Sequence, residues 1–358
     1  MKRYRDIYPT IYDYENLYEA YRSARKNKTQ RSEVMAFTRS LEENLIELQN
    51  ELVWRTYRVG RYREFYVNDP KKRLIMALPF RDRVIQWAIY RQINYLLDKR
   101  YISTSYACRL GGGTQKAIHQ LQQYIRHTPG RVYVLKLDVS KYFYRIDHGV
   151  LLGILRRIFK DSDLLELLRR IIDDDQGGGL FGIDIDTGER EPGVGMPIGN
   201  LTSQMFANLY LNEADQFAKH GLHAKKYIRY MDDMVIVSHD KAYLRYCWHA
   251  MDDFLTSHLK LRLNQKSTIQ TAKDGIDFCG YRIWRDHIRL RKKAALKMKH
   301  RLRYLRKAYA CGEIDLRTVA ASLTSYFGLL SHCDSYELRR SVLKDLVLVR
   351  CRKEVDYE

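Results

Sequence analysis

The sequence lacks long apolar runs, paired cysteines and enough acidic residues to balance its basic ones. No apolar stretch approaches the roughly 20 residues of a membrane-spanning helix, and the first residues have no signal-peptide core. The six cysteines form no Cys-x-x-Cys pair, and the 11 histidines form no His-x-x-x-His pair. These absences argue against a membrane protein, a disulfide framework and a zinc site, and they favour free thiols in a reducing cytoplasm.

The shortage of acidic residues points to a partner with many negative charges. The chain has 63 Lys and Arg against 43 Asp and Glu, a net charge of +20 and a pI near 9.6. Such a field suits nucleic acid, and the 28 tyrosines could stack on single strands. Between residues 282 and 307 there are 12 basic residues, and Asp286 is the only acid. Nucleic-acid contact is favoured there over a solvated basic helix, because such a stretch repels itself without a polyanion.

At 358 residues the chain has room for two or three subdomains, and its predicted helices and strands place it in the α+β class. Apolar spacing predicts helices, and β-branched or aromatic runs predict strands. A glycine-rich loop, Gly111–Gly113, precedes a helix near Thr114; a simple helix-start loop is the alternative to a phosphate-contacting one. The predicted helices are 31–52, 82–98, two within 147–172, 202–217 and 241–258, and the predicted strands are 132–137, a hairpin at 227–237 and short strands up to 284.

The most informative feature is the acidic turn, Tyr230-Met231-Asp232-Asp233. It lies between two runs rich in β-branched and aromatic residues, so a hairpin with two adjacent carboxylates is predicted. Folding alone gives no reason to hold two repelling carboxylates side by side, whereas Mg²⁺ prefers oxygen ligands. A solvated acidic turn is the alternative interpretation unless a second acidic site lies nearby.

Asp138 supplies that second acidic site, because it follows the predicted strand 132–137. If this strand neighbours the hairpin in one sheet, Asp138 converges with Asp232 and Asp233. Three carboxylates can hold two Mg²⁺ ions, which activate a 3′-hydroxyl and stabilise a departing pyrophosphate. Catalysis is then largely positioning and electrostatics.

At this point the chain resembles a reverse transcriptase along nearly all of its length. The segments 73–86 and 105–117 are similar to the two fingers motifs, 137–143 to motif A, the acidic turn to motif C, and 264–267 to motif D. Residues 278–281 resemble the primer-grip hairpin, and the basic region after 290 resembles a thumb. The resemblance implies a right-hand polymerase with an N-terminal region and fingers at 1–130, a palm at 131–285 and a helical thumb at 286–358.

The resemblance also implies a role for each matched residue. Catalytic roles fall to the three aspartates and to Lys266, which would protonate the departing pyrophosphate, and Val139 joins the aspartates in binding metal. Phe143 would be the steric gate against ribonucleotides, although an ordinary core aromatic is the alternative. Deoxynucleotide binding is implied for Lys72, Arg73, Phe143, Ile198, Gly199 and Gln204, and nucleic-acid binding for Arg109, Tyr230, Met231, Cys279, Gly280, Tyr281, Arg291, Lys292 and Lys293.

Motif B departs from the usual Gln-Gly-x-x-x-Ser-Pro pattern. This chain has Ile198-Gly199-Asn200-Leu201-Thr202-Ser203-Gln204. Isoleucine removes an amide that could hydrogen-bond at the nascent base pair, and apolar contacts discriminate less steeply than hydrogen bonds. Reduced fidelity is therefore expected. The variant motif resembles that of diversity-generating retroelement reverse transcriptases, which misinsert opposite template adenines.

That resemblance implies partners as well as an activity. They are a template-repeat RNA, the cDNA or its primer, deoxynucleotides and a small basic oligomeric accessory variability protein, with no membrane involved and a bacterial, archaeal or phage origin. Two alternatives remain: another bacterial reverse transcriptase (retron, group II-like or phage-defence) or a catalytically inactive nucleic-acid-binding scaffold. The presence of all three carboxylates together with Phe143 and Lys266 argues against the inactive scaffold.

Overall fold

The computed structural model describes residues 3–68, 72–173, 181–183, 187–344 and 346–350. Its helices are α1 (Tyr8–Tyr12), α2 (Tyr14–Arg25), α3 (Ser32–Arg39), α4 (Leu41–Val53), α5 (Phe80–Asp98), α6 (Thr114–Arg126), α7 (His148–Ile158), α8 (Ser162–Asp173), α9 (Leu201–Gln216), α10 (Lys241–Leu259), α11 (Lys292–Ala310), α12 (Leu316–Leu330) and α13 (Tyr336–Lys344). Its strands are β1 (Arg63–Asn68), β2 (Lys72–Ala77), β3 (Tyr133–Asp138), β4 (Gly182–Ile183), β5 (Arg190–Glu191), β6 (Tyr227–Tyr230), β7 (Asp233–Ser238), β8 (Thr268–Thr271), β9 (Ile276–Phe278), β10 (Tyr281–Ile283) and β11 (Ile288–Leu290).

Aspartate caps explain where several of these helices begin. The Asp13 carboxylate accepts a hydrogen bond from the Asn16 amide at 3.2 Å at the start of α2. Asp147 does the same for Val150 at 2.8 Å in α7, and Asp315 for Thr318 at 2.8 Å in α12. Each cap satisfies a backbone donor that the first helical turn leaves unpaired, which is worth about 1 kcal/mol.

The chain packs as two compact units, and the first comprises Met1–Gly112, Leu137–Met234 and Tyr246–Ser267. In it, α5 packs against both α2 and α9. An aromatic cluster joins the N-terminal helices to α5, with ring centroids 5.9 Å apart for Tyr21 and Phe37 and 5.3 Å apart for Phe37 and Phe80. Burial of rings of this size contributes about 1.5–3 kcal/mol each, so this region has its own apolar core.

The second unit comprises Gly113–Lys136, Val235–Arg245 and Thr268–Glu358. Its three C-terminal helices, α11, α12 and α13, surround a small apolar core that includes Met298, Leu305 and Val319. Strands β9, β10 and β11 form an antiparallel three-stranded sheet in the order β11-β10-β9. The turn between β9 and β10 is made by Cys279 and Gly280, with φ of 47° and 85°. Two positive φ values are what a tight two-residue hairpin requires.

The sheet that carries the acidic turn has four strands in the order β6-β7-β3-β8. Strand β3 pairs antiparallel with β8, with Tyr133 opposite Thr271 and Lys136 opposite Thr268. On its other side β3 neighbours β7 of the hairpin, which meets the condition set for the convergence of Asp138 with the acidic turn. Two smaller hairpins, β1 with β2 and β4 with β5, complete the sheets of the described residues.

One predicted helix is wrong: 31–52 is two helices, not one. Ser40 leaves the helical region with φ of −116° and ψ of 52°, and it separates α3 from α4. The Asn44 side chain donates to the carbonyl of Phe37 at 3.0 Å, which satisfies an acceptor at the end of α3. The apolar spacing continues across the break because both helices bury the same side, so periodicity alone could not reveal it.

The other predicted elements lie within two residues of their predicted bounds. The predicted subdomain boundaries at 130 and 285 stay a prediction. The two compact units are each made of several chain segments, so they do not test boundaries between consecutive subdomains. Of the predicted thumb, residues 345 and 351–358 lie outside the described part of the chain. In the described residues no helix is both long and apolar enough to cross a membrane.

Candidate active site

The acidic turn sits at the tip of the hairpin formed by β6 and β7. Tyr230 ends β6, Asp233 begins β7, and only Met231 and Asp232 lie between them. Met231 has φ of 53°, a left-handed conformation that a non-glycine residue adopts at some cost. The turn is thus held in an uncommon backbone geometry, and the surrounding residues must stabilise it.

Asp138 is held next to the loop that follows α10. Its backbone carbonyl accepts a hydrogen bond from the Asn264 amide at 2.7 Å, and its amide donates to the Ser267 hydroxyl at 3.3 Å. Val139 pairs with Leu263 in an isolated antiparallel bridge. These contacts fix the backbone on both sides of Asp138, so the carboxylate leaves the sheet from a rigid base.

The negative charges of Asp233 and Asp138 act on Asp232. The pKa of Asp232 is raised to about 6, first by burial and then by these two charges. A hydrogen bond from its own amide and the positive charge of Arg73 oppose that rise. Desolvation and neighbouring like charges both disfavour the ionised carboxylate. A cation bound here would relieve that unfavourable free energy.

The donor set fits a hard divalent cation, since it consists of carboxylate oxygens at a partly buried, negatively charged turn. Among the residues that the structure describes, no three His, Cys, Asp or Glu side chains are placed close enough together to hold one metal ion. The oxygen donors suit Mg²⁺ by their chemistry, while their placement in the described residues does not form a site for one ion.

Arg73 and Lys72, the predicted triphosphate contacts, lie at the start of β2. Both are exposed, and the Lys72 ammonium lies 4.3 Å from the centre of the Tyr66 ring. Arg73 is close enough to Asp232 to lower its pKa. Of the two predicted triphosphate contacts, Arg73 therefore lies near the acidic turn. Lys72 instead packs against Tyr66 of strand β1.

Strand β2 also holds the motif B loop. The amide of Met76 donates to the carbonyl of Ile198 at 3.0 Å. Gly199 has φ of 121°, and a Cβ there would lie 3.1 Å from the Ile75 side chain. Only glycine fits this approach without strain. The Ile198 side chain is half-buried, so it keeps a surface for contact with a ligand.

Phe143 and Lys266 occupy different surroundings. Phe143 lies in a short 3₁₀ helix, Tyr142–Tyr144, two residues beyond the left-handed Lys141. Its ring is half-buried, and its carbonyl accepts a hydrogen bond from Met196 at 2.7 Å. Lys266 is exposed in the loop whose Asn264 and Ser267 hold Asp138. Lys266 therefore belongs to a loop that contacts the backbone of Asp138, and its own side chain is exposed.

Gln204, Cys108 and Met231 form a small cluster at the start of α9. The Cys108 sulfur lies 3.7 Å from the Gln204 side-chain oxygen and 3.8 Å from the Met231 sulfur. Sulfur contacts of this kind are weak and adaptable. The motif B glutamine thus reaches the acidic turn through a cysteine that the sequence analysis did not single out.

The structure gives Arg109 a structural role beside its predicted nucleic-acid role. Its guanidinium donates to Asp98 at 2.6 and 3.2 Å and to the carbonyls of Ile102 and Ser105 at 2.7 and 2.9 Å. Only 16% of the side chain is exposed. Most of its donors are therefore engaged within the loop, and contact with nucleic acid stays a prediction.

The remaining predicted nucleic-acid contacts lie in the second unit. Cys279 and Gly280 form the hairpin turn, but Tyr281 is buried and its hydroxyl donates to the carbonyl of Leu329 at 2.9 Å. Arg291 precedes α11, 3.5 Å from Asp277, and Lys292 and Lys293 start that helix. The basic side chains and the turn are accessible, whereas the Tyr281 ring packs inward.

Sequence reasoning missed the buried support of the acidic turn. Arg229 and Asp215 form an ion pair at 2.7 Å, and both side chains are fully buried. Tyr227 donates to the Asp215 carboxylate at 2.7 Å. Arg229 also donates to the side chain of Asn208 at 2.9 Å and to the carbonyl of Met231 at 3.1 Å. A charged residue in an otherwise buried strand was the available signal, since buried arginine requires a partner.

The backbone of Arg229 ties this network to another predicted motif. Its amide donates to the carbonyl of Thr104 at 3.0 Å, and its carbonyl accepts from Tyr106 at 3.1 Å. Asn208 in turn donates to the carbonyl of Ala107 at 3.1 Å. The segment 104–107, β6 and α9 are thereby joined beneath the acidic turn.

Comparisons with known proteins identify the family of the chain. A family model described as "Reverse transcriptase (RNA-dependent DNA polymerase)" matches residues 68–283, more than half of the chain. Protein YkfC of Escherichia coli (strain K12) is 27% identical over 284 residues, covering 68% of this chain and 71% of YkfC. Group II intron-encoded protein LtrA of Lactococcus lactis subsp. cremoris is 25% identical over 180 residues, covering 49% of this chain and 28% of LtrA.

A similar solved structure is telomerase from Candida albicans in complex with a TWJ fragment of telomeric RNA. It has a TM-score of 0.49 and 15% sequence identity, covering 81% of this chain and 57% of that chain. The chain spans less than a third of the length of LtrA and just over half of the telomerase chain.

Proposed function

The chain belongs to the reverse transcriptase (RNA-dependent DNA polymerase) family and carries its RNA-directed DNA polymerase domain; from this we propose that it copies template RNA into cDNA at the acidic turn. The observation that carries the proposal is the electrostatic coupling of Asp232 to Asp233, Asp138 and Arg73. Three carboxylates and an arginine whose charges act on one another suit the transfer of a nucleotide from a triphosphate.

In the proposed reaction the 3′-oxygen of a primer attacks the α-phosphorus of a deoxynucleotide. A new phosphorus–oxygen bond forms, and the bond to pyrophosphate breaks. Two Mg²⁺ ions held by the three aspartates and the backbone carbonyl of Val139 would supply charge stabilisation at the attacking and leaving oxygens. Arg73 and Lys72 bind the triphosphate charge, and Lys266 donates a proton to the departing pyrophosphate.

We further propose that the enzyme belongs to a diversity-generating retroelement and misinserts opposite template adenines. The support is Ile198, which presents an apolar side chain where a glutamine amide would otherwise hydrogen-bond. The loop that carries it is fixed by the bond from the Met76 amide to its carbonyl. A fixed apolar contact constrains base-pair geometry less than a directed hydrogen bond does.

The experiment is to sequence the cDNA copied from a defined RNA by the wild-type enzyme and by Ile198→Gln. Errors concentrated at template adenines, and fewer of them in the variant, are expected. Ile46→Gln is a matched control, because it makes the same chemical change at an exposed position of α4. An error spectrum that is unchanged in Ile198→Gln would remove this residue from the explanation.

A second candidate is a group II-like reverse transcriptase, favoured by the similarity to LtrA. The same sequencing separates the two candidates, since a low error rate spread evenly over the four template bases supports the second. The proposed partners of the first candidate are a template-repeat RNA, its cDNA primer and a small basic accessory protein. Co-purification of the chain with such a protein and RNA tests that part.

A further inference from the structure

The first unit contains a cavity of about 870 Å³ that the polymerase reaction does not use. This basic cavity is lined by five cationic side chains and one carboxylate: Arg3, Lys99, Arg100, Arg156, Arg157 and Glu213. Its volume is in the range of ligand sites in proteins, roughly 300–1,000 Å³. Its lining has a net charge of +4, so it suits an anion.

The cations reach the basic cavity from distant parts of the chain. Lys99 and Arg100 follow the end of α5, and Arg156 and Arg157 lie in the last turn of α7. Arg3 is brought in by its neighbour Tyr4, whose amide donates to the carbonyl of Ile158 at 3.0 Å. The amide of Lys160 then donates to the carbonyl of Tyr4 at 2.7 Å.

Two of these cations are not compensated by an ion pair in the described part of the chain. Arg157 pairs with Glu213 at 2.6 Å. Arg3 and Arg156, by contrast, have no ion-pair partner within the described part of the chain. Cations near helix C-termini are stabilised by the helix dipole. That accounts for cations at two helix ends, but it does not account for their convergence with Arg3 on one cavity.

The basic cavity and the network beneath the acidic turn use different residues of α9. Asn208 and Asp215, which hold Arg229, are seven residues apart and share one face. The α9 residues that line the cavity lie roughly 40–160° around the helix from them: Leu209, Asn212, Glu213 and Gln216. Among the described lining residues there is no aspartate of the acidic turn, no Asp138 and no Arg73, so the cavity is distinct from the proposed polymerase site.

We propose that the basic cavity binds phosphate groups of an RNA segment outside the polymerase site; the choice of RNA as the polyanion rests on the proposed function. Several cations spread over three chain segments match successive phosphates better than a single one. Among the described residues no aromatic side chain lines the cavity to stack a base, and its apolar residues, Ile154, Ile158 and Leu209, are buried. Backbone recognition by charge and shape is the mode that this lining suits.

The test measures binding of a fluorescein-labelled RNA hairpin with a single-stranded 3′ tail to the full chain and to Arg3→Gln/Arg156→Gln. Each phosphate contact contributes roughly 0.7–0.9 to the slope of log K against log salt, so the double variant should lower the slope by about 1.4–1.8. When the two proteins bind RNA equally at 1 M salt, this difference in slope corresponds to about 10- to 30-fold weaker binding by the variant at 0.15 M salt.

A matched control removes two exposed charges elsewhere, in Lys26→Gln/Arg39→Gln. It should change the salt slope by far less than the cavity variant does. Should the cavity variant fold poorly by circular dichroism, Lys99→Gln alone should lower the slope by about 0.7–0.9. Equal RNA binding by the cavity variant and the control would overturn the proposal.

Two further measurements separate this proposal from others. If ATP binds the wild-type chain but not the cavity variant, and RNA binds both equally, the cavity binds a free nucleotide and the RNA assignment is wrong. Polymerisation by the wild-type enzyme on poly(rA) primed with oligo(dT) tests the proposed function separately. Loss of RNA affinity in the cavity variant of an enzyme that does not polymerise would support the cavity and reject the proposed function.

Discussion

Replacing Asp232 by asparagine should abolish polymerisation and yet stabilise the metal-free protein. The pKa of Asp232 is raised from 3.8 to about 6, first by burial and then by Asp233 and Asp138. The ionised carboxylate therefore costs the folded state free energy at neutral pH. Asparagine has nearly the same shape without the charge, so the variant avoids that cost while losing the proposed metal ligand.

The stability that Asp232→Asn gains over the wild type should increase with pH. Because the folded-state pKa is raised, the folded state binds this proton more tightly, and the wild type loses stability as pH rises between 3.8 and about 6. Relative to the wild type, Asp232→Asn should gain about 3 kcal/mol at pH 8 and about 1 kcal/mol at pH 4.5. For a chain of this length, the gain at pH 8 corresponds to a rise of about 3–4 °C in Tm.

The assay is thermal unfolding in EDTA at both pH values, with Asp253→Asn, an exposed carboxylate on α10, as the matched control. Added Mg²⁺ should then raise the Tm of the wild type more than that of Asp232→Asn, because only a ligand that binds the folded state stabilises it. RNA binding should be largely unaffected. A lower Tm of the variant at pH 8, or an equal gain at both pH values, would refute the electrostatic reasoning, and retained polymerisation would show that the metal site is elsewhere.

Three other substitutions test separate parts of the site. Arg229→Gln should destabilise the protein by about 3–5 kcal/mol in urea unfolding, because it leaves a buried carboxylate unpaired, and adding Asp215→Asn should recover part of the loss. If the double variant is no more stable than the single one, the ion pair is not the cause. Gly199→Ala should cost roughly 1–3 kcal/mol through backbone strain at φ of 121° and slow polymerisation, whereas Gly153→Ala, in open space on α7, should be neutral or stabilising. Phe143→Ala should raise kcat/KM for ribonucleotides relative to deoxynucleotides, and an unchanged ratio would mean that the ring is only a core aromatic.

The sequence predicted the α+β right-hand polymerase fold, and the family match confirms it. That prediction came from the resemblance of several ordered motifs to one family. The strands and the turn were predicted from strand alternation and turn chemistry, which are local properties of the chain. Whether the strand ending at Asp138 neighbours the hairpin was only a condition of the argument, and the strand order meets it. The break at Ser40 was missed because apolar spacing is the same on both sides of it.

What the sequence could not predict depends on pairs of residues far apart in the chain. The need of Arg229 for a buried partner is visible in the sequence, but its pairing with Asp215 and Asn208 is set by how α9 packs under the hairpin. The basic cavity is a stronger case, since its cations come from residue 3, residues 99–100 and residues 156–157. Composition shows an excess of charge, and only the fold shows where that charge converges.

The two supports of the acidic turn differ in stiffness, and that difference bears on an enzyme proposed to be active yet inaccurate. Beneath the turn, the fully buried pair of Arg229 and Asp215 holds the carbonyl of Met231, so the carboxylates start from a fixed backbone. Beside it, Gln204 reaches Met231 only through the sulfur of Cys108, a contact that can adjust at little cost. Nucleotide transfer requires fixed positions for the charged groups. Discrimination between bases requires stiffness on the nucleotide side instead, where this chain has an apolar isoleucine and soft sulfur contacts. A polymerase can therefore lose selectivity at motif B without losing the geometry of its aspartates.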